Sequence, residues 1–242
     1  MIALFTDFGS EGPYLGQMEA VLKVNAPSVD VINLVSNAPT GNPRLSAHLL
    51  AALYPYLPEN TVFLCVVDPG VGGDRLPVIL RANDRWFVGP ENGLLNGVAL
   101  DTKDCRWWII EWRPEELSPS FHGRDLFAPV AATLARGDFP GSSRLYKGPD
   151  LSGWPADIAS IIYIDGYGNA MTGWRFTTGL QKKILILNGH QHIKQADTFC
   201  GVPVGEALWY KNSCGLVEIA VNGGRADEKL DLNIGDGFRF SS

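Results

Sequence analysis

The sequence predicts an α/β protein with two domains: an N-terminal domain whose mostly parallel sheet is flanked by helices, and a smaller C-terminal all-β, barrel-like domain. Three observations predict this class. Apolar runs of strand length alternate with helically spaced stretches through the first half of the chain. A segment rich in Gly, Pro and Ser follows at 138–155. Beyond it, short β-like runs are broken by Gly, Asn and Asp.

The N-terminal elements are predicted in the order strand, helix, strand, helix, strand. Apolar runs predict the strands, and helical spacing of Leu, Val and Met predicts helices that stop before a proline. In chain order these segments are 2–5, 14–24, 29–35, 45–54 and 61–67. The last run is almost continuously apolar, which is typical of a strand covered on both faces.

Further strands are predicted at 78–80, 86–88 and 106–112. A helix is predicted at 126–136, with Asp125 as its N-cap and Gly137 just past its end. We therefore place the N-terminal domain at 1–140, a linker at 141–156 and the C-terminal domain at 157–242. Strands of the second domain are predicted at 158–164, 183–187, 216–221 and 237–240.

Composition excludes several classes of protein. Of the 242 residues, 45% are apolar and 19% charged, which is enough apolar surface for a core and unlike a disordered tail or coiled coil. No apolar run approaches the roughly 18 residues that span a bilayer, so no membrane partner is predicted. A net charge of −6 disfavours nucleic acid as a partner. The N-terminus lacks a basic signal-peptide region, and four widely spaced cysteines fit reduced thiols in the cytoplasm.

The candidate chemistry lies at the carboxyl ends of predicted parallel strands, where open α/β sheets bind ligands. Asp7 follows the first strand, and Asp68 follows the strand at 61–67. The loop Asp68-Pro-Gly-Val-Gly-Gly-Asp-Arg75 starts with a carboxylate and ends with a guanidinium. It lacks the Gly-Lys-Ser/Thr of a phosphate-binding loop. A turn with an exposed ion pair is the competing interpretation.

His122 precedes the predicted helix at 126–136 and is flanked by Gly123. An imidazole at a helix entrance titrates near neutrality and suits proton chemistry, although most single histidines are structural. His190 and His192 alternate on a predicted strand, but two histidines without a third ligand do not predict a metal site. These residues alone predict an Asp/Arg/His site and name no substrate.

Six motifs in chain order carry a resemblance to a known family. They are Thr6-Asp7-Phe8-Gly9, Val66-Val67-Asp68-Pro69-Gly70-Val71-Gly72, Pro90-Glu91-Asn92-Gly93-Leu94-Leu95, Phe121-His122-Gly123-Arg124-Asp125-Leu126-Phe127-Ala128-Pro129, Asp165-Gly166-Tyr167-Gly168-Asn169 and Asn212-Ser213-Cys214-Gly215-Leu216-Val217-Glu218-Ile219-Ala220-Val221-Asn222. With these motifs the chain resembles the S-adenosyl-L-methionine (SAM) hydrolases that form adenosine, also called SAM hydroxide adenosyltransferases. These are relatives of the fluorinases and chlorinases.

The resemblance implies that water attacks C5′ of the SAM ribose and releases adenosine and L-methionine, without a cofactor or metal. It implies a homotrimer with active sites between neighbouring subunits. By this resemblance Asp68, Arg75 and His122 handle the water, and either Asp68 or His122 accepts its proton. The implied substrate contacts are Asp7 for the ribose, Asp165 for the amino group of the methionine part, and Asn169, Ser213, Glu218 and Val221 for adenosine.

The same resemblance separates hydrolase from halogenase. Fluorinases carry Tyr in place of Asp68 and Tyr-Ser in place of His122-Gly123, and they have a long insertion after this loop. A carboxylate beside a halide would repel it, so Asp68 favours the hydrolase. The chain departs from the family pattern around Asn33, at 38–44, at Glu91 and within 165–169. These departures keep a second alternative open, a protein that binds adenosine or SAM without turnover.

Overall fold

The computed structural model describes residues 1–102 and 104–241. The chain divides into two compact units, Met1–Trp154 and Pro155–Ser242. Each unit contains one seven-stranded sheet within the described residues. Among the described helices, none combines the length and the apolar character that crossing a membrane requires.

The first unit alternates strands and helices as the apolar periodicity predicts. Its strands are β1 (Ile2–Thr6), β2 (Val31–Val35), β3 (Val62–Val66), β4 (Pro77–Ala82), β5 (Arg85–Pro90), β6 (Cys105–Ile110) and β7 (Ser143–Tyr146). Its α-helices are α1 (Tyr14–Asn25), α2 (Pro43–Leu53), α3 (Asn96–Leu100) and α4 (Ala128–Ala135), with a 3-10 turn at Tyr54–Tyr56 and a π-helical turn at Gly123–Phe127.

The sheet of the first unit is mixed, in the order β2-β1-β3-β5-β4-β6-β7. The four strands β2, β1, β3 and β5 pair in parallel, whereas β4 pairs antiparallel with β5 and β6, and β6 antiparallel with β7. The predicted mostly parallel sheet therefore describes only one half of the sheet. A tight turn at Asn83 and Asp84, both at positive φ, makes β4 and β5 a hairpin that no crossover helix separates.

The sheet is covered on both faces, which is why β1 and β3 are buried along their whole length. Ile2, Leu4 and Leu64 belong to the core cluster that includes residues of α1 and α4. The rings of Phe63 and Phe87 stack with their centroids 4.7 Å apart. Burial on both faces explains the continuous apolar run that predicted β3.

The start of the helix at 126–136 differs from the prediction. A π-helical turn at Gly123–Phe127 precedes α4, so Asp125 lies inside the helical segment. The Ala128 N–H already donates to the carbonyl of Gly123, and Asp125 makes no capping hydrogen bond. The Asp125 carboxylate instead accepts from Ser118 N at 3.0 Å and pairs with Arg124. Gly137, at φ +89°, follows the helix as predicted.

The segment predicted as a linker at 141–156 contains strand β7. Leu145 lies opposite Trp108 of β6, so this part of the segment completes the sheet of the first unit. The boundary between the two units falls between Trp154 and Pro155.

Up to residue 241, the second unit contains strands, one short helix and two 3-10 turns at Thr178–Leu180 and Phe199–Gly201. The strands are β8 (Ile161–Ile164), β9 (Ala170–Arg175), β10 (Leu185–Leu187), β11 (Gln191–Gln195), β12 (Ala207–Lys211), β13 (Leu216–Val221) and β14 (Phe238–Phe240), and the helix is α5 (Ala226–Leu230). Their sheet order is β14-β10-β11-β12-β13-β9-β8. A bridge between Ser160 and Gly237 brings the two edges of this sheet together.

The prediction of an all-β second domain missed α5. Ala226 and Leu230 of this helix are buried in the core of the unit. One turn of helix is too short to show a helical period in the sequence. The helix also holds a loop, because Ala226 N and Asp227 N both donate to the Gly168 carbonyl.

Candidate active site

A pocket of about 520 Å³ opens at the carboxyl ends of β1 and β3. Thr6 lies opposite Val66 in the parallel pair, so the loops that follow the two strands emerge side by side. Asp7 and Asp68 both line this pocket, which we call the first pocket. It lies where an open α/β sheet binds its ligands.

Asp68, Arg75 and His122 form one hydrogen-bonded chain. Arg75 Nε lies 2.9 Å from Asp68 Oδ2, and Arg75 Nη2 donates to the same oxygen. Arg75 Nη2 also lies 2.9 Å from His122 Nδ1. The side chains of Arg75 and Asp68 are only 9% and 3% exposed, so this ion pair is shielded from solvent. The Arg75 guanidinium also lies over the Phe127 ring, 5.3 Å from its centroid.

The glycines of the loop from Asp68 to Arg75 let it pack closely against the segment that carries His122. Gly72 has φ +79°, and a Cβ built there would lie 2.5 Å from the carbonyl oxygen of Pro119. Only glycine fits this combination of positive φ and close backbone approach. The loop is closed by turns in which Val71 N donates to Asp68 O and Gly73 N to Gly70 O.

The bond with Arg75 determines the protonation of His122. A guanidinium has no acceptor, so His122 Nδ1 must be the acceptor, and the neutral ring carries its proton on Nε2. Burial lowers the pKa of His122 below its ordinary value, and the nearby Arg75 cation lowers it further. The imidazole is therefore neutral near pH 7.

Asp7 lines the same pocket as Asp68 and His122 but has a different hydrogen-bond partner. Its Oδ2 accepts a hydrogen bond of 2.8 Å from Gly41 N. Burial raises the pKa of Asp7, and within the described chain the carboxylate forms no ion pair. Gly41 belongs to the segment 38–44, where the chain departs from the family pattern. Because the contact comes from a backbone N–H, it does not depend on the side chain at that position.

Aromatic rings form another wall of the first pocket. The rings of Phe8, Tyr14 and Phe121 contact one another, with Tyr14 and Phe121 edge to face at 5.4 Å. Arg124 lies over Phe121 at 5.1 Å and donates to Gln17 Oε1 at 2.7 Å. The pocket thus combines an apolar wall with a small set of charged groups.

A second pocket, of about 690 Å³, belongs to the second unit. It is lined by five residues that the resemblance singled out: Asp165, Asn169, Ser213, Glu218 and Val221. Asp165 Oδ1 accepts from Tyr167 N and Asn169 N at 2.9 Å each, and its Oδ2 accepts from Asn169 Nδ2 at 3.1 Å. These bonds hold the loop of Asp165 and Asn169 in one conformation.

Glu218 is the most enclosed acid of the second pocket, with 3% of its surface exposed. Tyr210 donates its hydroxyl proton to Glu218 Oε1, and Asn212 Nδ2 donates to Oε2 at 2.8 Å. Burial raises the pKa of Glu218 and also that of Tyr210, whose bond to Glu218 raises it further. Tyr210 therefore remains the proton donor of this pair.

The structure brings Asp68, Arg75 and His122 into contact, with Asp7 in the same pocket. Sequence reasoning missed Phe8 and Tyr14 in the first pocket and Tyr210 in the second. Phe8 stands directly after Asp7 in the first loop motif, which is the signal that could have identified it. Tyr210 lies opposite Glu218 in the β12–β13 pair, so a prediction of the register of that hairpin would have identified Tyr210.

Comparison with known proteins identifies the family. The model of the SAM hydroxide adenosyltransferase N-terminal domain matches residues 2–143, and the model of the corresponding C-terminal domain matches residues 159–239. The chain belongs to the SAM hydroxide adenosyltransferase family. The boundary between the two matched domains agrees with the division into two units at Trp154 and Pro155.

Two named relatives are similar over nearly the whole chain, and a third is similar over part of it. A protein of Salinispora arenicola named (R)-S-adenosyl-L-methionine hydrolase is 35% identical, covering 100% of this chain and 97% of its own. A protein of the same name from Thermus thermophilus is 36% identical, covering 97% and 96%. A fluorinase of Nocardia brasiliensis is 24% identical over 58% of this chain and 55% of its own.

Two solved structures share the fold of this chain. An uncharacterized conserved protein from Thermotoga maritima matches with a TM-score of 0.90 and 30% identity, and each chain is covered completely. A conserved hypothetical protein from Thermus thermophilus matches with a TM-score of 0.80 and 34% identity over 99% of both chains.

Proposed function

We propose that this SAM hydroxide adenosyltransferase hydrolyses SAM to adenosine and L-methionine by attack of water at ribose C5′. The observation that carries the proposal is the hydrogen-bonded chain from Asp68 through Arg75 to His122, in which Asp68 and His122 line the first pocket. It occurs in a protein 35% identical over its full length to a named (R)-S-adenosyl-L-methionine hydrolase. From these relatives we take the R configuration at the sulfonium as the preferred substrate.

The charges at the first pocket support a cationic substrate. Asp68 is neutralised by Arg75, and Arg124 is neutralised by Asp125. The carboxylate of Asp7 remains as the unbalanced charge among these groups. A sulfonium cation complements this single negative charge, and the product adenosine is neutral. Asp7 also suits the ribose, because a carboxylate can accept from both vicinal hydroxyls.

The reaction demands activation of water and little else. The water oxygen forms a bond to C5′ while the C5′–S bond breaks. The electron pair of the C5′–S bond stays on sulfur, which becomes the neutral thioether of methionine. No general acid is needed, because the leaving group is uncharged. Holding the oxygen in line with the C5′–S bond supplies an orientation advantage on the order of several kcal/mol.

We assign the proton of the water to Asp68. His122 Nδ1 already accepts from Arg75, so the neutral ring offers Nε2–H as a donor that can orient a lone pair of the water. Asp68 Oδ1 retains a lone pair, since its contact with Arg75 Nε is the longer of the two at 3.1 Å. A carboxylate is a weak base. A weak base suffices, because the water becomes strongly acidic as its bond to carbon forms.

We further propose that the protein is a cytoplasmic homotrimer in which the first pocket of one subunit is completed by the second pocket of its neighbour. Asn169, Ser213 and the backbone of Val221 would then contact adenosine, and Asp165 the amino group of the methionine part. Supporting this assignment, these residues line one pocket of the second unit. The four cysteines are free thiols, which fits a reducing compartment.

The test is product analysis in water enriched in oxygen-18. Purified protein is incubated separately with the R and S epimers of SAM, and adenosine and methionine are separated by chromatography. We expect equimolar products, with the heavy oxygen on the 5′-hydroxyl of adenosine. Asp68→Ala and His122→Ala should lose turnover while circular dichroism shows that they remain folded.

Other outcomes identify the alternatives. Tight calorimetric binding of SAM with no product over hours would indicate a binding protein. A 5′-halogenated nucleoside formed on adding chloride or fluoride would indicate a halogenase. Wild-type turnover in both the Asp68 and His122 variants would refute the catalytic assignment while leaving the hydrolase activity in place.

A further inference from the structure

Glu218 lies at the centre of a hydrogen-bond chain within the β12–β13 hairpin. Tyr210 lies directly opposite Glu218 in the antiparallel register, and its hydroxyl donates to Oε1. Asn212 stands at the end of β12, and its Nδ2 donates to Oε2 at 2.8 Å. Both donors are neutral, and each engages one oxygen of the carboxylate.

The other end of the Asn212 side chain shapes the turn of this hairpin. Its Oδ1 accepts from Cys214 N and from Leu216 N, at 2.9 Å each. Because Oδ1 faces these two N–H groups, the amide of Asn212 is locked with Nδ2 directed at Glu218. Asn212 is 6% exposed, whereas Ser213 next to it is exposed at the tip of the turn.

We propose that Glu218 and Tyr210 are positioning residues that act through Asn212 to hold the 212–215 turn, which presents Ser213 to the nucleoside. The inference rests on the proposed function. It changes the role that the resemblance implies for Glu218, from a contact of adenosine to a support for the residues that make contact.

The surroundings of Glu218 argue against a direct role in recognising the ligand. Its side chain is almost fully buried, and each of its oxygens already has a donor. None of the described residues that line the second pocket is a lysine or an arginine. The free-energy cost of burying the Glu218 carboxylate is thus offset by its hydrogen bonds with Tyr210 and Asn212, and these bonds stabilise the 212–215 turn.

Variants that exchange the hydrogen-bond donor and acceptor between positions 212 and 218 test the proposal. In Asn212→Asp, the new carboxylate still accepts from Cys214 N and Leu216 N but faces Glu218 without a proton to donate. In Glu218→Gln, the amide can accept from Asn212 and donate to the Tyr210 hydroxyl. In the double variant, Gln at position 218 donates to Asp at position 212 and accepts from Tyr210, so every bond has a partner again.

We expect these variants to change the KM for SAM. The kcat of each variant should stay within about threefold of wild type, because the 212–215 turn binds the substrate and takes no part in the chemical step. Glu218→Gln raises KM about threefold, since neutral pairs are weaker than charged ones. Asn212→Asp raises KM about thirtyfold, because two buried carboxylates repel each other and the turn shifts. The double variant returns to within about threefold of Glu218→Gln. Asn188→Asp, an exposed change in the same unit, is the charge-matched control and leaves KM unaltered.

A second readout follows the turn without the reaction. Hydrogen exchange at Leu216 N–H should accelerate in Asn212→Asp and slow again in the double variant. If Asn212→Asp is too unstable to assay, the comparison of Glu218→Gln with the double variant still decides. A double variant whose KM stays far above that of Glu218→Gln would overturn the proposal, as would a Glu218→Gln KM as high as that of Asn212→Asp.

The two proposals fail in different ways. An active wild type whose double variant is not rescued refutes the positioning role and leaves the hydrolase function intact. A wild type that forms no adenosine refutes the hydrolase function. The positioning role is then tested by Leu216 exchange and by calorimetric affinity for adenosine, which must follow the same order across the variants.

Discussion

Arg75 Nη2 lies 2.9 Å from His122 Nδ1, so the guanidinium donates this hydrogen bond and the imidazole accepts it. Arg75 also donates to Asp68, so it links the Asp68 carboxylate to the His122 imidazole. In this arrangement the imidazole stays neutral and its Nε2–H is directed away from Arg75. The contact therefore favours Asp68 over His122 as the proton acceptor.

His122 should titrate below its ordinary pKa of 6.5, because burial and then Arg75 disfavour its charged form. Nuclear magnetic resonance of the imidazole ring protons measures the pKa of His122 directly. The His122 signal is identified as the one that is missing from the spectrum of His122→Asn. Protonation is harder in the folded than in the unfolded chain. The contribution of His122 to stability is therefore fully present above 6.5 and is lost as the pH falls toward its folded pKa.

Arg75→Met provides the matched comparison for this titration. Removing the cation should raise the pKa of His122, since the Asp68 carboxylate then faces the ring alone. A His122 pKa at or above the ordinary value in the wild type, or one that falls in Arg75→Met, would contradict the geometry.

Asp68 and Arg75 should couple strongly in stability. The pair is shielded, so Asp68→Asn or Arg75→Gln alone leaves an uncompensated charge and costs about 3–5 kcal/mol of unfolding free energy. The double variant should cost clearly less than the sum of the two single variants. Urea unfolding measures all four proteins. Strictly additive losses would show that the ion pair contributes nothing.

The same double variant separates stability from catalysis. It recovers part of the folding free energy but should remain inactive, because the Asp68 carboxylate that accepts the proton is gone. Recovery of turnover together with stability would mean that the pair serves only the fold.

Gly72→Ala should disrupt the first pocket. The residue has positive φ, and its Cβ would meet the Pro119 carbonyl. Gly137→Ala is the control, because Gly137 also has positive φ but has open space around it. We expect Gly137→Ala to cost about 1–2 kcal/mol from backbone strain alone. Gly72→Ala should cost more and also lower kcat, measured with saturating SAM. Equal losses of stability with full activity in both would show that the Pro119 contact is unimportant.

Subunit mixing tests the proposed shared site. Asp7→Ala impairs the first pocket and Asn169→Ala the second, so each variant alone should lose most activity. If one neighbour completes each site, random exchange of equal amounts leaves about a quarter of the sites with both pockets intact. The mixed sample should then recover about a quarter of wild-type activity. Activity no higher than the mean of the two parents would place both pockets in one subunit or in separate functions.

The sequence predicted the elements of the first unit well because the β1 and β3 strands are apolar on both faces and the helices carry a clear period. It failed at Asp125, since a π-helical turn that begins at Gly123 removes the N–H that a cap would bind. It also failed at β7, whose pairing with β6 comes from a segment rich in turn residues. Edge strands of this kind depend on a neighbour that local composition does not reveal.

What the sequence by itself determined is the family motifs that contain the candidate site residues, and that Asp7 and Asp68 follow parallel strands, since motifs and apolar periodicity are local properties. Only the tertiary structure decided which groups touch. Arg75 reaches both Asp68 and His122 because Gly72 lets two distant loops meet, and Tyr210 reaches Glu218 through strand register. A hydrogen bond such as the 2.9 Å contact between Arg75 and His122 depends on the positions of whole loops, and no pattern of neighbouring residues specifies those positions.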